Sequence, residues 1–310
     1  MGFGSFEAIC GKTGLPICSV VAPIAEKGST YFSTGVVPDC YSRSVELANT
    51  MIFQIGNAFI HIGTLIILLI IIFNVRSKYT AIGRSEMLSF FYLYMALTIS
   101  SLVVDCGVSP PGSESYPYFV ALQLGIVSAV CICLLYNGVL CFQFWEDGSR
   151  TSRFGLYLIC IVWFVINFVL ALATFQSWGS LSNSDTTGVF VVTYILNAII
   201  LVTYVISQLI LVFFALDSYW YLGAIVLFSF FFVVGQLLVY VFNYQICSRL
   251  THYVDGIFFG TLCNTFAIMM VYKFWDMITS EDLEFSVANV ERGVTPFGDN
   301  HEKSQSQYFN

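Results

Sequence analysis

Seven long apolar runs, separated by short polar stretches, set the pattern of this chain. They lie at about Ala48–Phe73, Met87–Val104, Tyr118–Phe144, Phe154–Phe175, Gly188–Leu216, Tyr219–Asn243 and Tyr253–Phe274. About 30 Å of hydrocarbon is crossed by roughly 20 residues of α-helix, so each run is close to or above spanning length. Only Asp217 and Ser218 divide the fifth run from the sixth. The expected fold is an all-α membrane protein, a seven-transmembrane-helix bundle over residues 48–276. An N-terminal segment, 1–47, precedes it and a tail, 277–310, follows it.

Two stretches depart from plain apolarity. The first is Asp105–Phe119, DCGVSPPGSESYPYF, where Pro110, Pro111 and Pro117 fix φ and remove N–H donors, so no helix continues through it. The second lies in the opening run. Thr50, Gln54, Asn57, His61 and Thr64 recur at spacings of 4, 3, 4 and 3, which puts all five on one helical face. Polar atoms facing lipid find no partner, so this face should look toward protein. Gln54, Asn57 and His61 are therefore candidates for helix packing, for contact with a partner's membrane helix, or for a ligand or proton path.

Composition narrows the class. Hydrophobic residues make up 57% of the chain and charged residues 10%, whereas a soluble domain needs about a quarter charged. The bilayer is thus the first expected partner. A net charge of −7 gives no basic face for nucleic acid.

Charge also orients the bundle, because Lys and Arg collect in cytoplasmic loops. Loops 74–86 and 145–153 hold Arg76, Lys78, Arg84, Arg150 and Arg153, while the alternate loops hold only Arg249. Lys12, Lys27 and Arg43 in the N-terminal segment count the other way. The expectation is a lumenal N-terminus, a lumenal Asp105–Phe119 loop and a cytoplasmic C-terminus. Cys10, Cys18, Cys40, Cys106 and Cys247 then share the lumenal side and are candidate disulfide cysteines. Cys10 and Cys18 are close enough for a local bridge, and Cys40 or Cys247 would tie to Cys106. Five is odd, so one thiol stays free or pairs between chains.

Catalytic patterns are missing from the sequence. There is no G-x-S-x-G, P-loop or G-x-G-x-x-G. Of three histidines, His301 lies in the tail and His61 and His252 sit at different depths, which does not suit a zinc hydrolase. No cofactor and no enzyme activity are expected. A seven-helix receptor or a small-solute transporter is the alternative class. The third run lacks a D-R-Y-type ending, the seventh lacks N-P-x-x-Y, and no inverted repeat is visible. Gly256 and Gly260 form a G-x-x-x-G pair that permits close helix approach. Asp255 is expected at the interface. From Asp276 onward there are seven acids and two bases, so the tail is expected to be largely disordered beyond about Ser286. Within it Asp282-Leu283-Glu284 looks like an acidic export signal for vesicle coat machinery, set against a merely solvated acidic tail.

Several strings together resemble the fungal chitin synthase export chaperone family. They are NTMIFQIGNAFIHIG at 49–63, KYTAIGRSE at 78–86, VDCGVSPPGSESYPYFV at 104–120, WEDG at 145–148, His252–Gly260 and MVYKFWDM at 270–277. The resemblance runs from about Phe3 to Leu283. It implies a multi-pass protein of the endoplasmic reticulum membrane that helps a chitin synthase fold or assemble and leave for the cell surface. It brings no catalytic residue. Amides on the Gln54, Asn57 and His61 face would then be the first candidates to pair with polar helix faces of the client.

Overall fold

The computed structural model describes residues 4–21, 35–47, 50–52, 54–79, 81–142, 148–179, 181–182, 185–215 and 219–293, with the backbone alone at 46–47, 50–52, 215 and 280–293. Seven helices in it are long and apolar enough to cross a membrane. The chain begins with a short helix α1 (Glu7–Cys10) and a 3-10 turn at Pro16–Ser19. Strands β1 (Val45–Leu47) and β2 (Thr50–Ile52) follow, paired antiparallel with Glu46 opposite Met51. Then come α2 (Ile55–Ser77), α3 (Arg84–Asp105), α4 (Tyr116–Leu140) and α5 (Arg150–Phe175). Helix α6 (Thr187–Phe190) passes through a π-helical stretch, Val191–Leu196, into α7 (Asn197–Ala215). The chain continues with α8 (Trp220–Tyr240), a seven-residue α9 (Asn243–Arg249) and α10 (Gly256–Gly293).

Two boundaries differ most from the sequence reading. The first spanning helix begins at Ile55 and not at Ala48, because Thr50–Ile52 is used as a strand. An apolar stretch of that length reads equally as strand or helix, and the local hairpin decides it. The last helix runs on to Gly293, beyond the Ser286 point at which composition predicts order to end. Asp282 and Glu284 lie on that extension, and their side chains fall outside the described residues.

The spanning helices close a ring. Neighbours around it are α2, α3, α4, α7, α8 and α10, which returns to α2, and α5 packs on α4. The most extensive contact is α8 against α10, and it depends on glycine. A Cβ on Gly235 would meet Cys263 Cβ at 3.0 Å and Gly260 O at 3.3 Å, and a Cβ on Gly260 would meet Val239 and Gly235 O. The absent side chains are what let these backbones approach. The G-x-x-x-G pair thus serves this internal seam.

The main core joins Leu68 and Val75 of α2, Phe90 and Phe91 of α3, Leu134 of α4 and Val271 and Trp275 of α10. A second core closes one end of the bundle. There Phe6, Cys10, Ile17, Cys18 and Val21 pack on Val104, Val120, Ala171, Phe175 and Val189. Residues 4–21 therefore form a cap over the helix ends. Phe6 meets the rings of Phe190 and Tyr194 edge-on, with centroids 5.7 and 5.5 Å away. Thr13 Oγ1 donates to Val239 O at 2.9 Å, and Asn243 Nδ2 donates to Lys12 O at 2.8 Å.

Candidate functional site: buried polar clusters of the bundle

Of the five polar residues expected on one helical face, Thr50 lies in β2 and Gln54 is left-handed just before α2, so only Asn57, His61 and Thr64 share the face, and it points inward. Gln54 Nε2 reaches Gly14 O of the cap at 3.5 Å. One turn on, Asn57 Nδ2 donates to Asp105 Oδ2 at 2.7 Å, and His61 Nε2 lies 3.0 Å from the same oxygen. Thr64 Oγ1 meets Thr265 Oγ1 of α10 at 2.8 Å. Asn57, His61, Thr64 and Asp105 are all buried. The stripe thus joins α2 to the cap, to the last residue of α3 and to the middle of α10. Gln54 Nε2, Asn57 Nδ2, His61 Nε2 and Thr64 Oγ1 each find a partner inside the protein, where an unpaired carboxylate would be very costly.

A second acid lies close by. Asp255 is 3% exposed and is not the interfacial residue that its place at a helix end suggests. Its Oδ1 accepts from Phe258 N–H at 3.3 Å, which caps α10. Burial raises its carboxyl above the ordinary value; the Phe258 N–H opposes this and the charge of Asp105 adds to it. Asp105 and Asp255 therefore share the capped end with His61, Asn57, Gln54 and Asn243.

Two further clusters sit elsewhere. Between α4, α5 and α7, Asn197 Nδ2 donates to Ser128 Oγ at 2.8 Å, and Ser128 Oγ donates to Asn167 Oδ1 at 2.9 Å. At the uncapped end Glu86, fully buried, accepts from Gly148 N–H at 3.0 Å and from Ser152 Oγ at 2.9 Å. It holds the turn before α5 against α3. Lys78 pairs with Asp276 there, and Trp275 Nε1 donates to Ile82 O at 3.1 Å.

The cysteines correct one expectation. Cys10 bridges Cys18, and Cys40 bridges Cys247 across 207 residues of sequence. Cys106 is in neither bridge and is a half-buried free thiol, pushed up to about 11 by burial and by the neighbouring Asp105 charge. The loop after α3 is therefore not tied covalently to the cap. The chain path puts Cys40 beside α9, with Cα atoms 6.1 Å apart, so Cys247 is taken. Ser109 Oγ instead binds Ser113 Oγ at 3.0 Å and Ser115 Oγ at 2.9 Å, which folds the loop on itself. Tyr116 OH donates to Pro16 O at 3.3 Å and joins it to the cap.

The family model described as chitin synthase export chaperone matches residues 2–289, which include the cap and all seven spanning helices. The chain belongs to the chitin synthase export chaperone family. A relative of that name in Debaryomyces hansenii is 66% identical over 310 residues and is covered end to end, as is this chain. One in Candida albicans is 62% identical over 312 residues, again with full coverage of both chains. The Saccharomyces cerevisiae relative is 49% identical over 302 residues, covering 93% of this chain and 96% of its own. No solved structure matches the chain. Among the cluster residues to which sequence reasoning gave no role are Asp105, Glu86 and Ser128. Asp105 and Glu86 each stand at the end of an apolar run, and that was their only signal.

Proposed function

We propose that this chain is a membrane chaperone that binds a chitin synthase in the endoplasmic reticulum and enables its folding or assembly and its exit to the cell surface. The observation that carries this reading is the family match, which spans the whole bundle and not one part of it. The role is non-catalytic, in keeping with polar side chains that bind one another across helices.

The capped end is assigned to the lumen and the end bearing Arg76, Lys78, Arg84, Arg150 and Arg153 to the cytoplasm. Basic loops support this. So do the two bridges at the capped end, since disulfides persist in oxidising compartments. In this reading Gln54, Asn57 and His61 hold the chaperone together, and the client meets the lipid-facing exterior. Asp282 and Glu284 on the cytoplasmic extension are the proposed contact for vesicle coat machinery. Deleting 278–310 should then shift the chaperone's own distribution toward the endoplasmic reticulum.

Co-purification tests the main proposal. Tagged chain, extracted in mild detergent from fungal membranes, should retain chitin synthase in near-stoichiometric amount. Recovery of the chain with no synthase, under conditions that preserve other membrane complexes, would refute it.

A further inference from the structure

The Cys40–Cys247 bridge has a third neighbour. His252 Nδ1 lies 3.4 Å from Cys40 Sγ and 3.7 Å from Cys247 Sγ. Zinc at about 2.3 Å from sulfur and about 2.05 Å from nitrogen, with tetrahedral angles, sets each N···S edge at about 3.6 Å. The imidazole already stands at the separation from both sulfurs that such an ion demands. In the dithiol form only the two sulfurs have to part, to about 3.8 Å.

The backbone holds the ring there. Thr251 and His252 are consecutive left-handed residues, with φ of 51° and 66°. Neither is glycine, so the conformation is unfavourable and needs support. His252 N–H donates to Cys247 O at 3.1 Å, and Arg43 N–H donates to His252 O at 2.8 Å. The histidine is thus pinned to both of the chain segments that carry the cysteines. Both cysteines are buried and His252 is exposed, which leaves a fourth position toward solvent.

We propose that, in its dithiol form, this chain binds one zinc ion through Cys40, Cys247 and His252, with water as fourth ligand. Binding displaces one proton from each thiol. His252 presents the Nδ1 lone pair, carries its proton on Nε2 and gives up the hydrogen bond to Tyr41 O, now 3.1 Å away. Oxidation reverses this. The two sulfurs bond to each other, two electrons pass to an external disulfide, which takes two protons from solvent and becomes two thiols, and the zinc leaves. The two forms exclude each other because they use the same sulfur electrons. Both join residue 40 to residue 247, so the segment after the cap is fastened to α9 in a newly made, still reduced chain as well as in the mature one. This inference is independent of the client reading.

The test uses full-length protein in detergent, reduced with a phosphine under argon and titrated with zinc chloride, with cobalt chloride as a coloured probe. One equivalent of zinc and a tetrahedral thiolate–cobalt spectrum are expected. Cys10→Ser/Cys18→Ser should keep both. His252→Ala should weaken binding at least about tenfold. The same variant should still form the Cys40–Cys247 bridge on oxidation, by peptide mapping, which separates ligand loss from misfolding. Zinc binding unchanged in His252→Ala, or equal in wild type and Cys40→Ser/Cys247→Ser, would overturn the proposal.

Discussion

His61 Nε2 and Asp105 Oδ2 stand 3.0 Å apart with both side chains 7% exposed. Asn57 donates to the same oxygen, so one carboxylate fastens α2 to α3 beneath the cap. Removing His61 takes away one of the two donors to that buried oxygen and leaves Asn57 as the other. His61→Leu is expected to cost about 1–3 kcal/mol. Thermal unfolding in detergent should show the loss, and Asp105→Asn in the same chain should recover most of it. No recovery would mean that His61 acts by packing alone.

The α8–α10 seam makes a graded prediction. A Cβ on Gly256 would fall within contact of the Leu238 carbonyl oxygen, which is backbone and cannot turn away. A Cβ on Gly260 would crowd Val239 Cγ2, which can rotate. Gly256→Ala should therefore destabilise more than Gly260→Ala, with the larger effect at or above about 1–3 kcal/mol. Melting temperatures of the two variants, measured side by side, give the order directly.

The two bridges should also differ. Cys10–Cys18 closes 8 residues and Cys40–Cys247 closes 207. Loop-closure entropy assigns them upper limits of about 2.5 and about 5 kcal/mol. Cys40→Ser should accordingly lower the melting temperature of oxidised protein more than Cys10→Ser.

Much of this was legible in the chain. Seven apolar runs gave seven spanning helices, and the 4, 3 spacing of Asn57, His61 and Thr64 placed those three on one inward face, while Thr50 and Gln54 fell outside the helix. Asp105, the partner of Asn57 and His61, was not legible, since it is 44 positions from His61 and looked like the start of a loop. Glu86 and Asp255 were hidden for the same reason. Each stands at a helix end, where sequence alone does not tell a solvated acid from one covered by another segment. Gly148 and Ser152 do the covering for Glu86. Disulfide pairing was equally open, because the nearness of Cys40 to Cys247 follows from how residues 40–43 lie against α9 and the turn after it.

Asp255 carries a pH signature. Its folded carboxyl titrates above the ordinary value of 3.8, so between that value and the raised one the folded chain holds more protons than the unfolded chain. Stability therefore falls as pH rises through this window. Asp255→Asn keeps a side-chain oxygen for the Phe258 N–H and removes the charge. The variant should gain in melting temperature relative to wild type as pH climbs from about 4 toward neutrality. A constant difference across that range would contradict the assignment.

The central claim concerns transport. The most direct measurement is the fraction of chitin synthase at the surface of fungal cells from which this chain has been removed, with and without its return on a plasmid. The account predicts synthase held in the endoplasmic reticulum without the chain and released when it is restored. Equal surface synthase in both cells would contradict it.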